Sequence, residues 1–261
     1  MRVKINLLKE PELRNPFLVS GLPGISYVGK VSTGYLIREL KAELFGEVYS
    51  HFFPSHVIIK KDGTVELMKN ELYYWKNREL ERDIIFFTGN TQAASPEGQY
   101  LIAEEVLDTA IKFGVKRLYS IAAYVVDKSI EKPEVYGAAT EPKLLEEVKM
   151  HGVLPMVEGS IGGTNGLLFG LAKTKNLQGI CLLGETRGYR TSSGRFVVDA
   201  KAVRAVLEIL TKILSIKVDM APIESQAELT AEFIERLEEV ESRMLKQAVK
   251  SKPKDLSRYI T

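Results

Sequence analysis

Cysteine occurs once in the 261-residue chain, at Cys181, which excludes an intrachain disulfide framework and any zinc site built on paired cysteines. Histidine is nearly as scarce. His51, His56 and His151 show no H-E-x-x-H spacing, so the sequence spells out no metal centre. No apolar run approaches the ~20 residues needed to span a bilayer, and no membrane partner is expected. An excess of one charge is also missing. With 36 Lys+Arg against 34 Asp+Glu the formal charge is +2, too small to imply a nucleic-acid partner. No leader-like segment opens the sequence, and together with the single cysteine this points to a reducing cytoplasm.

What is present is a globular composition, 45% hydrophobic and 27% charged. The length predicts one α/β domain of about 200 residues with something added. Dense charge with little Gln or Cys also fits the surfaces of heat-adapted proteins.

From residue 17 to about 214, short apolar runs alternate with amphipathic stretches. Residues 17–20 and 84–87 read as buried strands and 118–126, 153–157 and 179–183 as further strands, several of them apolar on both faces. Helical stretches are expected at 27–44, after Ser95 and Pro96 up to Gly114, near 166–173, and from Asp199 to about 215, with a short helix capped by Thr140. Residues 48–75 look like β structure, with 56–59 and 64–67 flanking Lys61, Asp62 and Gly63 as a hairpin signal, and this 48–75 hairpin is expected to make the sheet mixed. The predicted fold is therefore α/β, a mixed, largely parallel sheet covered by helices on both faces. We expect it to occupy residues 1–220.

Residues 221–261 form a different unit, a C-terminal helical arm. No strand signal occurs between 225 and 250, and Phe233, Leu237, Val240 and Met244 follow a 4-3-4 spacing that makes a narrow apolar seam for helix or subunit contact. Glutamates at 228, 232, 235, 238, 239 and 241 make its first half acidic, while Arg243, Lys246 and Lys250 make the second basic. A breaker containing Pro253 then leads to Leu256, Arg258, Tyr259, Ile260 and Thr261, an aromatic–aliphatic tip presented beyond the helix.

Three segments carry chemical signals. Residues 24–31 match G-x-x-x-x-G-K between a strand and a helix, but Val31 stands where a P-loop needs a hydroxyl, and Ser32 is one position late. The two readings are a nucleotide site over Gly24–Lys30 and a tight turn whose glycines permit close packing. Residues 158–166, glycine-rich and again between strand and helix, fit an anion site or close backbone packing. At the end of a buried strand, Glu185 and Arg187 could bind substrate or move protons, or they could serve pairing or an interface. There is no G-x-S-x-G elbow, Cys181 lies inside an apolar strand, and Tyr73, Tyr74 and Trp75 suggest a strand-edge aromatic cluster at an interface.

Taken in order, these segments resemble the archaeal proteasome-assembly chaperone family. Residues 17–40 are similar to its opening, a strand, a G-x-P-G turn, then V-G and a helix containing Y-L-I; here Gly21, Pro23, Gly24 and Gly29 carry the pattern. Residues 159–171, with Gly163 and Gly166, resemble its glycine-rich turn. Residues 182–189, with Gly184, Glu185, Gly188 and Tyr189, resemble its G-E-T-x-G-Y segment. The resemblance implies a nucleoside-phosphorylase-like core without catalysis or cofactor. It implies ATP-independent assembly or activation of the proteasome core particle by a homo-oligomer, a tetramer favoured over a pentamer. It also implies that a C-terminal hydrophobic–Tyr–any-residue motif enters pockets between core-particle α-subunits, where the terminal carboxylate meets a lysine. In this chain Tyr259 is third from the end and follows Arg258, one position inward of that pattern. An enzyme acting on nucleosides or nucleotides through Gly24–Lys30 and Glu185–Arg187 is the alternative.

Overall fold

The computed structural model describes residues 2–191 and 194–227. The seam Phe233, Leu237, Val240 and Met244 and the tip Leu256, Arg258, Tyr259, Ile260 and Thr261 lie outside the described residues. In chain order, β1 (Val3–Leu7) and β2 (Phe17–Ser20) lead to α1 (Val28–Glu39). Next come β3 (Glu43–Ser50), β4 (Val57–Ile59), β5 (Val65–Leu67), β6 (Asn70–Trp75) and β7 (Ile84–Gly89). Then follow α2 (Pro96–Lys112), β8 (Arg117–Val125), β9 (Val135–Ala139), α3 (Pro142–Lys149) and β10 (Leu154–Pro155). The last elements are α4 (Gly163–Thr174), β11 (Gln178–Thr186) and α5 (Ala200–Leu214).

Nine strands make one sheet in the order β1-β3-β6-β7-β2-β8-β11-β9-β10. Its centre, β7-β2-β8-β11, is parallel. β6, β3 and β1 extend one side antiparallel, and β9 opens the other side antiparallel to β11. The sheet is mixed as expected, and it is the outer parts of the 48–75 segment that make it so. β4 and β5 pair only with each other, in a separate two-stranded sheet, and it is β3 and β6 on either side of them that join the main sheet. β6 is therefore interior, and Tyr73, Tyr74 and Trp75 do not lie on an edge.

Two apolar layers sandwich the parallel centre. Successive residues of β2 and β7 alternate between them: Val19 and Phe86 face α1 and α5, while Leu18 and Phe87 face α2 and α4. That is why these strands read as unbroken apolar runs. α5 buries a stripe through Val203, Val206, Leu207, Leu210 and Leu214, the three-and-four spacing of a helix with one face on a sheet. Its N-cap is Asp199, whose carboxylate accepts the Ala202 N–H at 3.0 Å. α2 starts as its sequence indicates, with Ser95 as cap and Pro96 in the first turn. α1 is shorter than expected because Lys41 turns left-handed (φ 52°) and β3 begins at Glu43. Thr140 does not cap α3; its hydroxyl accepts the Gly179 N–H, and Glu141 takes the cap position.

After α5 the chain recrosses α1. The Tyr35 hydroxyl donates to the Asp219 carbonyl at 2.5 Å, and Asp219 in turn accepts the Ala221 N–H at 3.0 Å. Residues 221–227 are helical, with Ile223 and Ala227 buried in the α1–α5 layer. Arg204 of α5 holds Glu224 at 3.1 Å. The last described residues, 221–227, are therefore packed on the body.

Where the hairpin joins the sheet, one ammonium gathers three carboxylates. Lys69 Nζ lies 2.7 Å from Glu47, 2.8 Å from Glu66 and 3.2 Å from Glu71, tying β3, β5 and β6 together in a half-buried cluster. Its hydrogen bonds to Lys69 hold the Glu47 and Glu66 carboxyls below their ordinary range. The glutamates in turn hold the Lys69 ammonium above its ordinary range against the opposing effect of burial. Both carboxylates contribute stability above the ordinary carboxylate range, and that contribution is lost as pH falls through their depressed values. Lys69→Met leaves the three carboxylates facing one another and should lower unfolding free energy by about 2 kcal/mol at pH 7. In urea titrations the gap between variant and wild type should close as pH is lowered toward 3; a gap independent of pH would contradict this account.

Candidate functional site

In an open α/β sheet, ligands collect beyond the carboxyl ends of the parallel strands, where the strand order reverses. Here the chain passes from β2 outward to β7 and back to β8, so the reversal lies between β2 and β8. The three segments singled out in the sequence converge at this end: the turn after β2, the turn before α4, and the end of β11. A crevice of about 540 Å³ opens between them, lined by Gly24, Ile25, Tyr124, Glu158 and Ile161 among others.

The first turn is shaped by close approach. A Cβ on Gly21 would meet the Gly29 carbonyl oxygen at 2.1 Å, and one on Gly29 would meet the Ile121 oxygen at 2.5 Å. The start of α1 thus lies directly against β2 and β8, and larger residues would push it off. Between the glycines, Ser26 and Tyr27 are left-handed, with φ of 47° and 53°, a conformation that costs a non-glycine residue about 1 kcal/mol each. This is not a phosphate nest. The Tyr27 N–H is spent on the Gly24 carbonyl at 3.1 Å, and Ser32 is fully buried. Lys30 is half-buried, with its ammonium pKa lowered by desolvation and partly restored by Glu71 of β6.

Ser26 is held by a network that the sequence reading missed. The Thr186 hydroxyl, fully buried, donates to the Asp199 carboxylate at 2.7 Å and lies 3.3 Å from the Ser26 hydroxyl. The Asp199 N–H donates to the Ser26 carbonyl at 3.2 Å. Asp199 thereby caps α5 and holds the β11 end through its carboxylate, and holds the first turn through its backbone N–H.

The second turn is bound to the first by two amides, also unmarked in the sequence reading. Asn165, buried in the first turn of α4, brackets Leu22: its oxygen accepts the Leu22 N–H at 3.0 Å and its nitrogen donates to the Leu22 carbonyl at 3.2 Å. Gln92 donates to the Pro23 carbonyl and accepts the Thr164 N–H at 2.8 Å. Gly163, with φ 75°, brings the α4 N-terminus against Gln92, and a Cβ there would lie 2.8 Å from the amide oxygen. Gly166 packs on the Ile161 carbonyl. A signal for both amides existed, a polar side chain inside or beside a glycine turn, but without the fold nothing tied position 165 to position 22.

At the third segment, Gly184 lets β11 meet Val206 and Ala202 of α5. Glu185 is buried, and its Oε2 accepts the Glu134 N–H at 3.2 Å while Lys128 Nζ stands 2.9 Å from Oε1. It therefore grips residues 128–134. Arg187 lies over the Tyr189 ring at 5.5 Å, and Gly188 is left-handed. Cys181 is buried and its thiol is pushed up to about 12 by desolvation, so it holds its proton at neutral pH. Among the described residues no group of three His, Cys, Asp or Glu side chains is placed to hold a metal ion. None of the described helices is long and apolar enough to cross a membrane. Of the polar side chains that line the crevice, Gln92 and Asn165 join loops, and Tyr124, Glu158 and Ser160 complete the lining; Glu185, outside it, holds residues 128–134.

An α/β scaffold whose glycine turns are stitched together around the strand ends defines a structural class, and sequence comparison identifies it. The chain belongs to the PAC2 family, whose profile matches residues 18–238. It is 38% identical over 250 residues to an uncharacterized protein of Methanocaldococcus jannaschii, covering 95% of this chain and 93% of that one. Among solved structures it is similar to Pyrococcus furiosus PbaB, described as an archaeal proteasome activator, with TM-score 0.83, 38% identity, and coverage of 91% of this chain and 99% of that one. It is also similar to Pyrococcus furiosus PbaA, described as an archaeal homolog of proteasome-assembly chaperone, with TM-score 0.74, 27% identity, and coverage of 96% and 97%.

If the Asp199 network is what fixes the first turn, its removal should be costly. Asp199→Ala loses a helix cap and orphans the buried Thr186 hydroxyl, and should destabilise the chain by about 3 kcal/mol. Asp199→Asn keeps the cap acceptor and should lose about half as much. Thermal and urea unfolding of the three proteins would check the order, and equal stability of the two variants would refute it.

Proposed function

We propose that this chain is a proteasome assembly chaperone or activator that works by binding, with no chemistry of its own. The reading is carried by the similarity, over nearly the whole of both chains, to a protein described as a proteasome activator. It is supported by the strand-end crevice, whose two lining amides, Gln92 and Asn165, are spent on loop-to-loop bonds. On this reading the chain forms a cytoplasmic homo-oligomer, a tetramer, and contacts the core-particle α-subunits through the tips of its arms, Leu256 and Arg258 to Thr261. It needs neither ATP nor a cofactor. The apolar seam Phe233–Met244 serves subunit contact, and the arm beginning at residue 221 is the functional extension of the core.

A single tip binds weakly, because ordering it consumes free energy. Several tips on one oligomer, facing several pockets, raise the effective concentration and multiply affinity by roughly 10² to 10⁴. Deleting Tyr259–Thr261 should therefore abolish capture of purified α-subunits while leaving melting temperature and oligomer mass unchanged. Undiminished capture would refute the tail reading. A nucleoside- or nucleotide-acting enzyme makes the opposite prediction, a rise in melting temperature with saturating nucleoside or nucleotide. On the chaperone reading that temperature stays constant.

A further inference from the structure

The hairpin β4–β5 is the least explained part of the body. A two-stranded ribbon is marginal alone in water and needs a third strand or a packing surface. This one turns a continuous aliphatic face to solvent: the cross-strand pairs Val57–Leu67 and Ile59–Val65 are 46% and 59%, and 64% and 64% exposed. The face runs into a cavity of about 490 Å³ at the hairpin's base, floored by Tyr49, Phe53, Val57, Leu67 and Met68. Arg2, Lys4, His51 and His56 rim the cavity, and no carboxylate lines it; Arg2 also pairs with Glu97 outside. At the hairpin tip Lys60 and Lys61 outweigh Asp62, whose carboxylate is bonded to Thr64. The surface is apolar within a basic border, and it asks for an acidic partner with an apolar stripe.

The sequence supplies one beyond the described residues. Between 228 and 241 lie six glutamates and one arginine, interleaved with Phe233, Leu237 and Val240 of the seam. The chain's own copy is badly placed to reach the hairpin. Its root, Ala227, lines a groove with Val135 of β9 and Ile209 of α5. β9 stands six strands from β3 in the sheet order, about 29 Å at 4.8 Å per step. Residues 228–241 span only ~20 Å as a helix. The nearer groove is a poor match for an acidic segment: Arg204 is already held by Glu208 and Glu224, and Glu131 and Glu134 oppose its lysines.

Resting on the homo-oligomer of the preceding reading, we infer that the acidic stretch 228–241 of one copy docks on the β4–β5 hairpin and basic cavity of the next. The contact is head-to-tail, each copy giving an arm and receiving one, the type of interface that closes into a ring when its rotation permits. The arm then has two jobs on successive segments, joining neighbours near its root and presenting the tip beyond.

The test uses the full chain with Leu67→Cys and Leu237→Cys, singly and together; the native Cys181 is buried and does not compete. Under mild oxidation the double variant should give a ladder of disulfide-linked chains, and neither single variant should. A band from Leu67→Cys alone would mean that two hairpins meet, an intrachain link would mean that the chain's own arm folds back, and no link at all would mean that another partner covers the hairpin. Each of these overturns the inference. In parallel, Ile59→Asp with Val65→Asp should reduce the mass in light scattering to that of one chain without changing the melting temperature, and an unchanged mass would overturn it. Capture of α-subunits by the same preparations reads the tail separately. An intact ladder without capture counts against the tail reading and leaves the docking site standing.

Discussion

The structure depends on how closely α1 is set against the ends of β2 and β8. Gly21 and Gly29 let backbone meet backbone there, and a methyl group at either position would overlap a carbonyl oxygen. Once α1 is seated, the chain must reverse within residues 21–27, and Ser26 and Tyr27 take left-handed geometry there. That strained turn persists because its surroundings over-determine it. Asp199 and Thr186 fix it from the α5 side, and Asn165 and Gln92 fix it from the α4 side. Helices on opposite faces of the sheet are thus coupled through one turn.

This coupling gives the strand-end crevice a different meaning from the one its location suggests. Catalytic sites in such sheets keep convergent polar groups free to meet a substrate. Here the amides that a ligand would use are taken by Leu22, Pro23 and Thr164. Glu185, which looked in sequence like an acid or base, is turned toward residue 134 and held there. The result is stiffness at the end of the sheet where other α/β proteins keep their chemistry.

The fold was largely legible because its centre obeys strong rules. Two-sided burial writes unbroken apolar runs at β2 and β7, and caps at Ser95 and Asp199 mark helix starts. What escaped was weakly patterned. β1 is a short edge strand with one buried residue of five, and β9 contains Gly137 where Val153 leaves no room for a side chain. β10 shrinks to two residues because the expected strand has a partner on one side only. At the site, the glycine turns were visible and their packing role could be inferred. The bonds Asn165–Leu22 and Thr186–Asp199 were not, since they join positions 143 and 13 residues apart and no local pattern encodes their meeting.

The same stiffness bears on how an arm could act at a distance. Avidity depends on the volume an end can search, and a tether hinged freely at the body wastes most of that volume. Here the root is fixed by burial of Ile223 and Ala227, by the Tyr35 bond to Asp219 and by the Arg204–Glu224 pair. Those contacts reach α1 and α5, the two helices locked through the Gly21–Gly29 turn. The direction of residues 221–227 is therefore set in the core. A fixed starting direction confines the search of whatever lies beyond and raises its effective concentration at a target held in matching geometry. On the proposed reading, close packing in the body and binding at the tip would be parts of one arrangement, the second depending on the first.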